Sequence, residues 1–541
     1  MNVFLRICLV LLLPALLHQG FAQTIPAGRL VFTGAAVTPS ELKEQDVLKH
    51  LTLTPKSNLF MTVFLERTLS SYLHDLAPAL SADSLSKIGN YQFSFLMDGK
   101  LIYQTELLPG APRPAQQQAD LSWNKPLIDN QHEGAWWSQS AWNRFLFYGG
   151  DSTLTDGPHI LKIILKPYVK TPRLIVGEVI AEGQLDLLVK RHPDVNTASV
   201  SLTRVIPGEG LPVSNEPFDY NRIRKLKAYI EADVFRHITS IVVLKKGKIL
   251  VEEYFNGSTR DSLHDVRSVG KSFASTLTGM ALADGYLSST GQTLGTFYPL
   301  QSYQHYSPAK AAVTLQELLT MRSRFDGDDG DPTSPGNEEN MYPQSDWVKF
   351  TLDLPLDTVK YRGQWHYFTA GVMLLGSILD KAIPGGLEAY ADKKLFKPLK
   401  INTYQWMYTP QHVPSTAGGI RMRAIDFAKY GQLYANDGNW NGRQLLPKSW
   451  VRQTFSRQTQ IPGRTQEYYG FLFWNKTFRS EGNSCETYYC SGNGGNKIYV
   501  LKDPGLVVVI TATAYGSGYA HRQADQILEE YVLPAVSGLG K

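Results

Sequence analysis

After the first twenty or so residues, no stretch approaches the roughly 18 to 20 consecutive apolar residues that a bilayer-spanning helix needs, so the mature chain reads as soluble. Cysteine is scarce, three in 541 residues. With no histidine cluster beside it, that argues against a zinc site or a disulfide-dense scaffold. An excess of one charge is missing too: 54 Lys and Arg face 49 Asp and Glu, a formal net charge of +5, and the basic residues are scattered. Nucleic acid is not implied as a partner. No internal repeat is found. What remains is a globular composition, 43% hydrophobic, 19% charged and 11% aromatic, in a chain long enough for at least two domains.

The start reads as a secretory leader, residues 1–22: Arg6, an apolar run from Ile7 to Leu17, and a small residue, Ala22, before Gln23. Cys8 lies in that run and is taken as leader. An exported protein, periplasmic or extracellular, is expected. That leaves Cys485 and Cys490, which could close a small disulfide loop in an oxidising compartment or stay as two unlinked thiols. Residues 24–189 are strand-like. Tyr91, Phe93 and Phe95 alternate, turn at Asp98-Gly99 and return through Leu101 and Tyr103, and further β runs follow at 160–165, 174–180 and 185–189. An all-β, sandwich-like accessory domain is the simplest architecture. Its tryptophans, Trp123, Trp136, Trp137 and Trp142, are expected to pack in a core, with a sugar-stacking face for a cell-surface glycan as the alternative. Residues 190–217, with four prolines and no periodicity, read as a linker.

The second domain, 218–537, opens with a helix carrying Ile223, Leu226 and Ile230 on one face and a hairpin turning at Lys246-Gly247. It closes with strands at 497–501 and 506–511 and a last helix. Strands at both ends with helices between them predict an α+β fold: one antiparallel sheet built from the two termini, flanked by helices, with a helical subdomain inserted.

The sharpest chemical feature is His264-Asp-Val-Arg-Ser-Val-Gly-Lys-Ser-Phe-Ala-Ser-Thr-Leu-Thr-Gly-Met280. Phe273, Leu277 and Met280 recur at helical spacing, so Ser268 and Lys271, three apart, share a face. A serine hydroxyl is a weak nucleophile. A helix start favours the negative charge it develops, and a desolvated lysine can take its proton. Ser-x-x-Lys alone is common, and Gly270-Lys271-Ser272 also looks like the end of a phosphate loop. That loop needs glycine where Asp265 stands. The run Asp326-Gly-Asp-Asp-Gly-Asp331 lacks the glycine and glutamate of a calcium loop and reads as solvated.

The segments around this motif resemble the serine β-lactamase and penicillin-binding-protein superfamily, with its esterase, D-aminopeptidase and 6-aminohexanoate-dimer hydrolase relatives. Val266-Arg-Ser-Val-Gly-Lys-Ser272 resembles the nucleophile segment and Leu315-Gln-Glu-Leu-Leu-Thr-Met321 the helix after it. Gly363-Gln-Trp-His-Tyr-Phe-Thr-Ala-Gly371 is similar to the segment of the second motif, Tyr-x-Asn. Gly418-Gly-Ile-Arg-Met422 and Trp440-Asn-Gly-Arg-Gln-Leu-Leu-Pro447 resemble framework segments. Agreement among ordered motifs is more specific than any one of them.

The resemblance implies a β-lactamase/transpeptidase-like fold without metal or cofactor, in which Tyr367 shuttles a proton between Ser268, Lys271 and the leaving group. Thr369 stands where relatives commonly carry asparagine and would donate a hydrogen bond to the substrate carbonyl. The third motif is expected at Asn493-Gly494-Gly495, with an oxyanion hole from the N–H groups of Ser268 and of a residue near Asn496. Asn493 lacks the cation that relatives use to hold a carboxylate, which favours neutral substrates. The expected activity is hydrolysis of an ester or amide through an acyl-enzyme. The alternatives are a D,D-peptidase or β-lactamase on peptidoglycan-type substrates, and a non-catalytic sensor or glycan-docking module.

Overall fold

The computed structural model describes residues 25–107, 119–129, 137–191, 195–208, 210–331 and 334–537. The leader, Cys8, Trp136 and part of the 190–217 stretch lie outside the described residues. Those described divide into two compact units, one up to Arg191 and one from residue 195 on.

The N-terminal unit is β-rich. The expected hairpin is present, Gly89–Met97 and Lys100–Glu106, with Asp98 and Gly99 both at positive φ, as a tight two-residue turn requires. Two features differ from a simple sandwich. All ten strands join in one sheet, of mixed direction, and the helices Leu69–Leu76, Ala82–Ile88 and Trp137–Phe145 pack against it. A sheet with one apolar face needs something to bury it, and here helices contribute to that cover. Trp123 and Trp142 are buried in this core. The Trp123 indole N–H donates to the Tyr91 hydroxyl and Trp142 packs on Phe95 and Phe145, so neither ring is free to stack on a sugar.

The second unit follows the predicted plan. Its eight-stranded sheet runs, in spatial order, Lys248–Tyr254, Ile238–Lys245, Leu506–Ala512, Asn496–Leu501, Asn483–Gly492, Trp474–Ser480, Tyr468–Tyr469 and Thr459–Gln460, with every neighbouring pair antiparallel. Helices from both ends of the unit cover one face. Tyr220–Glu231 buries Ile223, Leu226 and Ile230, and its first turn is capped by Asp219, which accepts from the Arg222 N–H at 3.0 Å. The other face carries the largest core, built on the helices Gly270–Ala283, Thr369–Ala382 and Ala424–Ala435. Every residue of the first from Gly270 to Ala281 is buried, which is the mark of a central core helix.

Residues 195–217 are not a free linker. Thr203 donates from N–H and hydroxyl to the Glu253 carboxylate at 2.6 and 2.8 Å, and Val213 bridges to Ile249. Proline removes helix propensity but leaves an extended segment able to run along a sheet edge. The disulfide expectation is also corrected. Cys485 and Cys490 lie on one strand, Asn483–Gly492, as free thiols. Five residues of extended chain separate their Cα atoms by about 16 Å, far beyond the span of a bridge.

Candidate functional site

Ser268 lies in a short turn, Arg267–Val269, leading directly into the helix Gly270–Ala283. Lys271 is one turn further on. Its ammonium donates to the Ser268 hydroxyl oxygen at 2.7 Å and to the Ala417 carbonyl at 2.6 Å, with the side chain only 2% exposed. The nitrogen lies 5.3 Å from the centre of the Tyr367 ring. Burial pushes the Tyr367 phenol up, while the Lys271 charge and the Ser268 hydroxyl pull it back. Two distant stretches of chain thus bring hydroxyl, amine and phenol together.

Glycines make that approach possible. A side chain on Gly492, the last residue of its strand, would put its Cβ 1.9 Å from the Val266 carbonyl oxygen and 3.1 Å from the Val269 nitrogen. On the other side, Gly418 sits at φ +148° with the Arg267 carbonyl and Ser268 nitrogen within 2.9 Å of its Cβ position, and Gly270 meets Gly418 at 2.8 Å. The nucleophile turn is therefore held between two backbone segments. Arg267 itself is at φ +52°, an uncommon conformation for a residue other than glycine and one that surrounding packing must impose.

At the expected third motif, the residue packed on the nucleophile turn is the one just before it. Gly492 is the residue against the nucleophile turn. Gly494 and Gly495, both at φ +89°, instead pack toward Tyr515 and the Ala520 carbonyl. Asn493 is exposed, and its side-chain carbonyl accepts from the Gly516 N–H at 2.9 Å. Asn496 is fully buried and pins two strands, bonding the Asn493 and Ala512 carbonyls and the Ala512 N–H. Its side chain does not line a cleft. Thr369 is likewise fully buried, 0% exposed, so its hydroxyl is not placed to meet a substrate carbonyl. It opens the helix Thr369–Ala382, and a helix start buried away from water needs a protein acceptor for its N–H groups.

The cap comes from the acidic run, which is not a solvated loop. Asp329 accepts from the Thr369 N–H at 2.8 Å and from the Glu338 N–H at 2.9 Å. Around the phenol stand Trp474, stacked on Tyr367 with ring centres 5.9 Å apart, and Trp365 at 6.1 Å. Both are half-exposed. Sequence reasoning missed Ala417, Gly492, Asp329 and this aromatic wall. Only Gly492 had a local signal, the glycine-rich run beginning one residue before the expected motif.

An antiparallel sheet assembled from both ends of a unit, with Ser268 and Lys271 at the head of a buried helix, defines a serine hydrolase of β-lactamase fold. A family model described as Beta-lactamase matches residues 226–531, and the chain belongs to that family. A curated relative, the 6-aminohexanoate-dimer hydrolase of Paenarthrobacter ureafaciens, is 22% identical over 280 residues, covering 47% of this chain and 64% of its own length. The match therefore spans less than two thirds of that relative. Similar solved structures include the octameric penicillin-binding protein homologue from Pyrococcus abyssi, with TM-score 0.45, 18% identity, and coverage of 58% of this chain and 77% of that one. Another is the D-stereospecific amidohydrolase from a Streptomyces species, with TM-score 0.43, 15% identity, and coverage of 56% and 95%. Among the described residues, no single helix is long and apolar enough to cross a membrane.

Proposed function

We propose that this protein hydrolyses an ester or amide through an acyl-enzyme on Ser268. The observation that carries the reading is the 2.7 Å hydrogen bond from the Lys271 ammonium to the Ser268 hydroxyl, beside the Tyr367 ring. In the first half-reaction the site acts in the form that is one proton short, amine with phenol or ammonium with phenolate: the Ser268 oxygen attacks the carbonyl carbon, the Lys271 and Tyr367 pair takes its proton, and the pair returns that proton to the leaving alcohol or amine. Water then repeats the sequence in the acyl-enzyme and frees the acid. The Ser268 N–H, at the head of a buried helix, is the natural donor to the oxyanion.

Half-exposed Trp365 and Trp474 next to the phenol offer apolar surface, which suits an alkyl or aryl chain on the substrate. That favours a carboxylesterase or linear-amide hydrolase, the class that the relative's name, 6-aminohexanoate-dimer hydrolase, also suggests. Export is part of the proposal and rests on residues 1–22. N-terminal sequencing of the protein from cell fractions tests it.

The activity test is incubation with a fluorophosphonate probe and with labelled penicillin, beside a Ser268→Ala control. The expected result is Ser268-dependent fluorophosphonate labelling without penicillin labelling. Labelling by penicillin moves the assignment to a peptidase or β-lactamase, and labelling by neither removes the enzyme reading.

A further inference from the structure

The run Asp326–Asp331 has no part in the chemistry above, yet it touches each residue of the segment that carries the phenol. The Asp329 N–H donates to the Tyr367 carbonyl at 2.8 Å. Its carboxylate accepts from the Thr369 N–H, two residues on, at 2.8 Å. Between them, Phe368 is only 2% exposed and its ring lies against Gly327, where an added Cβ would come within 2.2 Å. The ring also stacks on Phe325 at 5.7 Å. A main-chain donor, a side-chain acceptor and a glycine slot thus grip three consecutive residues.

The loop is itself braced. The second Asp329 oxygen accepts from the Glu338 N–H, the Asp328 N–H donates to the Ser334 hydroxyl at 2.9 Å, and the buried Asn337 amide reaches the carbonyls of Asp328, Asp329 and Asp331 at 3.1–3.4 Å. A carboxylate that accepts two main-chain N–H groups in a half-buried site holds them with charge-assisted bonds, stronger than neutral ones.

We propose that Asp329 is a positioning residue that fixes the Tyr367 phenol against Ser268 and Lys271. The inference rests on the proton-shuttling role given to Tyr367 above. Without the carboxylate, the Thr369 N–H loses its acceptor and the start of that helix is held less firmly relative to the nucleophile helix, by the Asp329 main chain and Phe368. A displacement near 1 Å at a reacting group costs about 100-fold in rate. Burial pushes the Asp329 carboxyl up to about 6, with Glu338 adding to the rise while Thr369 and the Lys271 charge oppose it, so the side chain carries its charge at neutral pH at some expense.

The test is a double-mutant cycle on p-nitrophenyl butyrate hydrolysis, using Asp329→Ala, the milder Asp329→Asn, Tyr367→Phe and the two combinations. Expected is a kcat loss of about 100-fold for Asp329→Ala, a smaller loss for Asp329→Asn, KM changed little, and almost no further loss when either is added to Tyr367→Phe. A merely structural aspartate would lower kcat equally in both backgrounds, and that additive result overturns the proposal. Should Asp329→Ala not fold, the Asp329→Asn arm carries the same comparison. A wild-type protein inert to this ester and to fluorophosphonate would instead overturn the reaction on which the inference rests.

Discussion

The alanine substitution of Gly492 is the most direct test of how the nucleophile is held. Gly492 is not in a left-handed conformation, so an alanine there brings no backbone strain, only volume. Its Cβ would lie 1.9 Å from the Val266 carbonyl oxygen, where real Cβ atoms essentially never come closer than 3.0 Å. The strand and the nucleophile turn must therefore separate by about 1 Å, a displacement worth roughly 100-fold in rate when it falls on a reacting group. That corresponds to about 2.7 kcal/mol in the barrier. Ser268 lies between Val266 and Val269, the two residues the new methyl would meet, so it moves with them.

The assay is the second-order rate of fluorophosphonate labelling, with far-UV circular dichroism and thermal unfolding alongside. Overpacking of this kind costs typically 1–3 kcal/mol of stability, which leaves a folded protein to measure. Gly270→Ala provides a graded comparison. Its Cβ would meet Gly418 Cα at 2.8 Å, needing only a few tenths of an ångström of relief and predicting a smaller loss. Gly291→Ala, whose nearest neighbour would be the Ser289 hydroxyl at 3.5 Å, should label as the wild type does. Labelling of Gly492→Ala within about 3-fold of wild type, or a larger loss at Gly270, would refute the claim that glycine contacts locate the nucleophile.

Lys271→Ala and Tyr367→Phe should each lower turnover by about 100- to 10,000-fold, and Ser268→Ala should abolish labelling; normal turnover in Lys271→Ala would remove it from the mechanism. Burial pushes His264 and His366 down to about 4 from 6.5, so each is held neutral in the folded state. An unfolded histidine gains its proton as pH falls below about 6.5, so each contributes a loss of about 3 kcal/mol between there and pH 4. His264→Asn should flatten the fall in unfolding midpoint over that window, and an unchanged slope would count against the buried neutral state. Cys485 and Cys490 should both be alkylated after denaturation without reductant, the buried Cys490 resisting in the native state, its thiol pushed up to about 12. Recovery of unmodified protein under those conditions would mean a bond that the strand geometry forbids.

Much of this architecture is legible in local pattern. The hairpins at Asp98-Gly99 and Lys246-Gly247 declare themselves by turn residues that tolerate positive φ, and the helix from Gly270 by its apolar spacing. Ser268 and Lys271 are legible for the same reason, since residues three apart on a helix must be neighbours. What escaped depends on contacts between distant segments. The strands Trp474–Ser480 and Asn483–Gly492 pass through polar stretches such as Asn483-Ser-Cys-Glu486, so alternation is weak there, and with it went the evidence that two cysteines share one strand. Charge density at Asp326–Asp331 suggested solvent because its partners, main-chain N–H groups of Thr369 and Glu338, have no sequence signature at all. Thr369 was assigned to a cleft by motif position, whereas its hydroxyl is fully buried, and the Asn496 side chain ties two strands together rather than facing a substrate.

The expectation of neutral substrates fares differently, because it rested on the lack of charge at Asn493. That side chain is engaged with the Gly516 N–H. An exposed cation in this neighbourhood is Arg267, which directly precedes Ser268 and lies over the Tyr515 ring at 4.5 Å, next to Gly494. Its carboxylate partner, Asp265, is 3.5 Å away and is shared with Arg421 at 3.6 Å, so two guanidiniums face one carboxylate and a positive charge is left over. Arg267 is 49% exposed, and solvent limits such a charge to about 1 kcal/mol, a few-fold in kcat/KM and weaker in salt. An ester bearing a carboxylate, such as a mono-nitrophenyl succinate, should therefore be turned over a few-fold more efficiently than its uncharged analogue at low ionic strength. The preference should vanish both in Arg267→Gln and in 0.5 M salt, where the screening length falls to about 4 Å from about 30 Å at 0.01 M. A preference that persists in Arg267→Gln would place the selecting charge elsewhere, and equal turnover of both esters by the wild type would restore the expectation drawn from Asn493.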